Sequence, residues 1–212
     1  LGLKSLGARV GLMDADVSGP SIPIAHDPIV DYVLRIGDTA LVHAQRLAEW
    51  CGHAPVLEED IALSNVALDH IGQARALLTH AGSLHASRAG GQAYDEDQLA
   101  FLRAEGDFRN VTLAELPLRR GGGDFADTVV RNLLLSTWFK LWWQRLQSSA
   151  DETLAGIAGK ALKEARYHQS HAAQWVVRLG DGTDESAARM RKALARAWPY
   201  VPELFEADAV DA

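Results

Sequence analysis

The sequence predicts an all-α fold, a four-helix bundle with additional helices, on three observations. From residue 26 onward the apolar residues recur at a period near 3.6, the signature of amphipathic helices. The periodic segments open on aspartate or threonine caps and close at glycine or proline. Two long periodic segments, a broken connection and two further long segments follow one another, with no strand–helix alternation.

Asp27-Pro28 is a strong helix start, a cap followed by proline at the first helical position. That helix is expected to reach Cys51, with Gly52 as its stop and Val33, Ile36, Ala40, Ala44, Leu47 and Cys51 as its core stripe. A second helix is expected from about Pro55 to Ala81. Glu58, Glu59 and Asp60 in its early turns favour the helix dipole, and Leu57, Ile61, Leu68, Ile71 and Leu78 form its buried face. Residues 82–94 are small and glycine-rich and read as a loop. Asp95 caps a helix over 96–116, broken near Gly106 and ended by Pro117. Gly121-Gly122-Gly123 reads as a flexible joint.

Asp124 caps the next helix, to about Ser148. Its stretch "VVRNLLLSTWFKLWW" is apolar on nearly every side, which predicts a central position. Trp138, Trp142 and Trp143 spread around it, so one of them is expected either to reach a partner or to lie under the 96–116 segment. Asp151 caps a long helix ending at Gly180, Thr183 or Asp184 caps another to Trp198, and "PYVPELFEADAV" holds one more turn. Two long helices, a connection and two more long helices is the plan of a ferritin-like bundle, a fold that builds metal sites between its helices.

Composition narrows the function. The 212 residues suffice for one core, and 48% hydrophobic with 23% charged residues is ordinary for a globular domain. A formal net charge of -7 argues against a nucleic-acid partner, and Arg119-Arg120, the one tight basic cluster, reads as a solvated loop. No apolar run is long enough to cross a membrane. The single cysteine, Cys51, excludes an internal disulfide framework, suits a reducing cytoplasm, and reads as a small buried filler beside Trp50.

Residues 8–23, "ARVGLMDADVSGPSIP", resemble the Mrp/MinD-type P-loop ATPases, in which such a strand carries acidic residues toward the nucleotide. The glycine-rich Lys-Ser/Thr loop that would hold the phosphates is lacking, since "LGLKSLG" has the wrong pattern. One strand cannot build a parallel sheet. Residues 1–25 are therefore expected to be an extraneous leader, outside a helical domain spanning 26–212.

A di-iron carboxylate site needs a carboxylate from each of two helices and a Glu-x-x-His pair from each of the other two. On the first helix Asp38 is a possible ligand and Gln45 a poor one. On the second, Asp69 reads as facing inward, with Gly72 where the histidine is wanted; His70 points about 100 degrees away. The helix after Asp127 carries no Asp, Glu or His before Asp151. In "KEARYHQSH", Glu164, His168 and His171 share one face, while Tyr167 stands at the position due a histidine. His43, His53, His80 and His85 read as scattered. The residues leave two readings: a single metal held by Asp69, Glu164, His168 and His171, or a polar network in which Asp69 or Asp38 hydrogen-bonds a histidine. The second is favoured, and no metal-binding, catalytic or cofactor residue is assigned.

Longer stretches carry a family resemblance. "YVLRIGDTALVHAQRLAEWCGHAPVLEEDIALSNVALDHIGQAR", "DEDQLAFLR", "GDFADTVVRN", "KALKEARYH", "WVVRLGDGTDES" and "WPYVPELFEAD" together resemble the C-subunit family of the phenylacetyl-CoA 1,2-epoxidases. The resemblance implies a ferritin-like structural subunit of aerobic phenylacetate catabolism with no working di-iron centre. It implies a hetero-oligomer with a paralogous catalytic subunit that carries the irons, and an indirect link to a reductase. The alternative is an independent ferritin-like oxidase built around Asp69, Glu164 and His168. The chain departs from the family at Ser136, where aspartate is usual, and at Phe139, where histidine is frequent. The family also continues beyond "LFEAD", so the helical domain is expected to be truncated at its C-terminus and its subunit interface to be incomplete.

Overall fold

The computed structural model describes residues 22–207 except 89, 91 and 118–122, together with Val210. The described residues form seven α-helices and no strand: α1 (Pro28–Ala48), α2 (Leu57–Arg88), α3 (Glu96–Phe101), α4 (Thr112–Glu115), α5 (Phe125–Leu146), α6 (Glu152–Gly180) and α7 (Asp184–Ala197). Their starts follow the caps. Asp27, Asp95, Asp124, Asp151 and Thr183 each accept a hydrogen bond from a backbone N–H of the first turn. A cap of this kind contributes about 1 kcal/mol.

Short connections make α1 and α2 one hairpin and α5 and α6 another, as the bundle plan requires. Contacts between α2 and α6 join the hairpins, and α7 packs on α5 and α6. Val33, Ile36, Ala40, Ala44 and Leu47 are wholly buried, as the α1 stripe predicts. Cys51 is a correction: α1 stops at Ala48, which leaves the cysteine exposed on the following turn while Trp50 is buried.

The larger correction concerns α2. Of its expected core face only Leu78 is buried; Leu57, Ile61, Leu68 and Ile71 are 72%, 54%, 63% and 44% exposed. The helix has two apolar faces, and the one turned inward carries Leu63, Val66, Ala67, His70, Ala74, Leu77 and Ala81. Small residues there let the hairpin close tightly. A Cβ on Gly37 of α1 would stand 3.2 Å from the Leu77 side chain. The helix also continues through residues 82–88, where a loop is expected from the sequence. Gly82 serves a crossing rather than a turn: a Cβ there would lie 1.8 Å from the Tyr94 carbonyl oxygen. Gly82→Ala is therefore expected to cost about 2 kcal/mol, although alanine is by itself the better helix former. Gly72→Ala on the same helix, with nothing within 4 Å, should instead stabilise by up to about 1 kcal/mol. Urea denaturation of the two variants checks the opposite signs.

The 96–116 stretch is broken as expected, into α3, a 3-10 turn at Glu105–Asp107 and α4. Of the glycine joint only Gly123 lies among the described residues, and Arg119-Arg120 lies outside them. All three tryptophans of α5 are engaged within the chain. Trp143 is fully buried, Trp142 donates its indole N–H to the Tyr32 hydroxyl, and Trp138 donates to the Leu204 carbonyl at 2.7 Å. The C-terminal pair of 3-10 turns, Trp198–Tyr200 and Pro202–Phe205, thus reaches Trp138 through Leu204. Those turns bind further. The Glu203 carboxylate accepts from the Thr112 N–H at the start of α4, at 3.0 Å, and the Glu203 carbonyl accepts from Arg35 at 2.9 Å.

Residues 1–21 of the leader lie outside the described residues. Its remainder touches the bundle: Ile22 and Ile24 pack on the core, and the Ala25 N–H donates to His85 Nε2 at 3.1 Å.

Candidate functional site

The site to judge is the seam between α2 and α6, with α1 and α5 behind it. Glu164, His168 and His171 of α6 share one face, as their spacing demands, and that face meets α2. Each finds a separate partner there. His168 Nε2 lies 2.9 Å from Asp69 Oδ2, His171 Nε2 lies 3.1 Å from Glu59 Oε2, and Gln73 donates to Glu164 at 2.8 Å. Lys160 stands 3.8 Å from Glu164 on the outer side. The four residues that would share one metal are thus spread along a ladder of three pairs, of which Asp69–His168 is the carboxylate–histidine bond expected of a polar network.

Asp69 does not face inward as the sequence suggests. It sits at the rim with its side chain 41% exposed, and the inward direction on that turn belongs to His70. His70 lies in the core between His43 of α1 and His168, with ring centroids 5.0 Å apart in each step, and against Phe139 of α5 at 5.2 Å. His43 and His70, read as scattered or misdirected, thus join His168 in a buried row of three imidazoles. Burial holds His43 well below its ordinary pKa and lowers His70 to about 3; the neighbouring His168 acts in the same direction. His168 is lowered too, chiefly by burial, with the Asp69 bond opposing. His43 and His70 are therefore neutral near pH 7 and pack among aromatic rings, while His168 adds its bond to Asp69.

Asp38 has a different role. It is fully buried, and its carboxylate accepts from both terminal nitrogens of Arg103, one at 2.9 Å, and from the Arg109 N–H at 2.9 Å. Arg103, from the connection after α3, is equally buried and lies over Phe108. Asp38 anchors that connection to α1 and has no histidine partner. Gln45 is half-buried on α1, two residues from His43 and therefore directed elsewhere.

Sequence reasoning missed Glu59, Gln73, His43, His70 and Arg103. Glu59 and Gln73 had a signal, because a spacing of fourteen residues puts them on one face of α2. The others meet across helices, with no local spacing to betray them.

The residues present do not fit a di-iron group. Asp38 is occupied by a guanidinium and Glu164 by an amide. The buried polar residues of α5 include Thr128, Asn132 and Ser136, with no carboxylate. Ser136 returns its hydroxyl to the Asn132 carbonyl of its own helix, and Phe139 fills the space beside His70. Among the described residues no group of three or more His, Cys, Asp or Glu side chains is arranged to hold a metal ion.

Comparison with known proteins agrees with the long sequence matches. The family described as phenylacetic acid catabolic protein matches residues 20–212. A curated relative, the C-subunit of the 1,2-phenylacetyl-CoA epoxidase of Escherichia coli (strain K12), is 47% identical over 180 residues, covering 85% of this chain and 68% of that protein. With a helical bundle, a seam of carboxylate–histidine pairs and a family match over nearly its whole described length, this chain belongs to the phenylacetic acid catabolic protein family.

Proposed function

We propose that the chain is a non-catalytic structural subunit of a multicomponent phenylacetyl-CoA epoxidase in aerobic phenylacetate catabolism, working in the cytoplasm. It pairs with and stabilises a catalytic ferritin-like subunit that holds the di-iron centre, and a reductase acts on that subunit. One observation carries this reading beyond the similarity to the Escherichia coli relative. The residues that would bind metal are each engaged by another side chain, and beyond Asp127, which pairs with Arg196, α5 carries no carboxylate or imidazole. The exposed row Leu57, Ile61, Leu68 and Ile71 on α2 is a contact surface suited to such a partner. No described helix is long and apolar enough to cross a membrane, so the row is not part of a membrane span.

Co-expression with the catalytic subunit is the test. The two should co-purify, the chain purified alone from iron-rich medium should lack stoichiometric iron, and Ile61→Asp/Leu68→Asp should weaken association at least about tenfold. Iron-dependent oxidation of phenylacetyl-CoA by the chain alone would establish the oxidase reading instead. A chain that stays monodisperse and ignores the catalytic subunit would end the structural one.

A further inference from the structure

The outer stripe of α2 is more regular than chance exposure would make it. Leu57, Ile61, Ser64, Leu68, Ile71 and Arg75 recur at alternating steps of four and three, the heptad spacing by which one helix seats another. At 1.5 Å per residue this stripe is about 27 Å long. Leu78, Gly82 and His85 extend the same spacing and are buried. The chain's own segment Tyr94–Leu99 lies over them. The Tyr94 carbonyl takes the space that a Cβ on Gly82 would fill, Leu99 packs beside it, and the Tyr94 ring stands 5.4 Å from that of His85. The stripe is thus one docking row. Its last third is covered, and from Leu57 to Arg75 no described residue covers it.

We propose that the bare part of the row takes the same part of a second copy of this chain, antiparallel, with the two-fold axis level with residue 66. The row is self-complementary in that register. Ile61 faces Ile71 of the second copy, the small Ser64 receives Leu68, and Leu57 lies along the aliphatic stem of Arg75. Glu58 then stands beside that Arg75 guanidinium, whose Nε bonds Glu96 of its own chain. Two features disfavour a parallel pair. It would set the two acidic first turns, Glu58, Glu59 and Asp60, side by side. It would also bring both Tyr94–Leu99 segments to one level, where they collide. In the antiparallel register Leu78 lies opposite Ala54, so that segment meets only the chain ahead of the other α2. The contact is isologous and closes at two copies. One helix stripe per copy makes a small interface, below the roughly 1,200 Å² of the standard class, so a dissociation constant of about 1–100 µM is expected. The row cannot hold two occupants. On the pairing reading given above, the self-pair is therefore the form the chain takes until the catalytic subunit displaces it.

Sedimentation equilibrium of the full chain alone, from about 1 to 300 µM, is the test. A reversible monomer–dimer equilibrium is expected. Ile61→Asp, at an exposed position, should keep the helical circular-dichroism spectrum and stay monomeric throughout that range. Orientation is read by disulfide cross-linking in a Cys51→Ser background, because Cys51 is exposed. Ile61→Cys mixed with Ile71→Cys should form a covalent dimer. Ile61→Cys by itself should not, since its two copies lie about 15 Å apart along the helix axis, beyond the reach of a disulfide. A monomer at every concentration, undiminished association of Ile61→Asp, or self-cross-linking of Ile61→Cys would overturn the proposal. The catalytic subunit is absent from all these measurements, so a monomeric chain would leave its pairing with that subunit untouched.

Discussion

Asp38→Ala is expected to be among the most destabilising single substitutions in the chain. It removes the counter-charge from Arg103, whose side chain is wholly buried, and leaves the Arg109 N–H without its acceptor. Breaking a buried pair from one side costs about 3–5 kcal/mol, since the remaining charge stays out of water. For a protein of this size that is a fall of at least about 6 °C in melting temperature. The paired replacement Asp38→Leu/Arg103→Met should recover much of the loss, because it removes both charges and keeps the volume. Urea denaturation of the three proteins checks the order. A loss under about 1 kcal/mol for Asp38→Ala would show that the pair is solvated in the native protein.

Acid should loosen the bundle well above the range in which carboxylates titrate. His70 has a folded pKa of about 3 against an ordinary value of 6.5, so between those limits the unfolded chain binds a proton that the folded chain does not. Stability is then fully present above pH 6.5 and is lost as pH falls, by about 1.4 kcal/mol per pH unit for one such group. At pH 4.5 His70 alone accounts for about 3 kcal/mol, a large part of a typical domain's 5–15 kcal/mol. His43, held down by the same burial, acts in the same direction. Asp27 and Asp151, whose pKa values lie below 3.8, lose their contributions only at lower pH, so the window from 6.5 to 4.5 isolates the imidazoles. Denaturation of the wild type and of His70→Met at pH 7.5 and 4.5 should show a smaller loss in the variant. Equal losses would place the acid-sensitive groups elsewhere.

What the sequence made legible was local. Caps at Asp27, Asp95, Asp124, Asp151 and Thr183 mark helix starts because the side chain and the N–H groups it serves lie within three residues of each other. The shared face of Glu164, His168 and His171 follows from helix geometry alone. What was not legible required knowledge of neighbours. On α2 two apolar faces compete, and bulk pointed to Leu57, Ile61, Leu68 and Ile71. Close hairpin packing instead selected the face of small residues and His70. The row His43–His70–His168 draws one ring from each of three helices, and Asp38 meets Arg103 across 65 positions of sequence. No periodicity encodes such meetings. Their only trace is a polar residue on an otherwise apolar stripe, which a metal ligand, an ion pair and a packed imidazole all leave alike.

The contacts made by Glu203 and Leu204 bear on the order in which the molecule is built. Arg35 and the Glu203 carbonyl are 168 residues apart, and Trp138 waits for Leu204 across 66. At a ribosomal pace of about 5–20 residues per second, the α1–α2 hairpin, complete at Arg88, exists for roughly 6–23 s before its clasp at Glu203 is synthesised. Once synthesised, the indole N–H of Trp138 and the Thr112 N–H wait for acceptors that arrive only with Leu204 and Glu203. The nascent hairpin covers one apolar face of α2 with α1, but leaves bare both the strip that later meets α6 and the outer row that stays exposed in the finished fold. Vectorial synthesis thus makes the emerging chain stickier than the finished one, and the last short turns are the step that commits it.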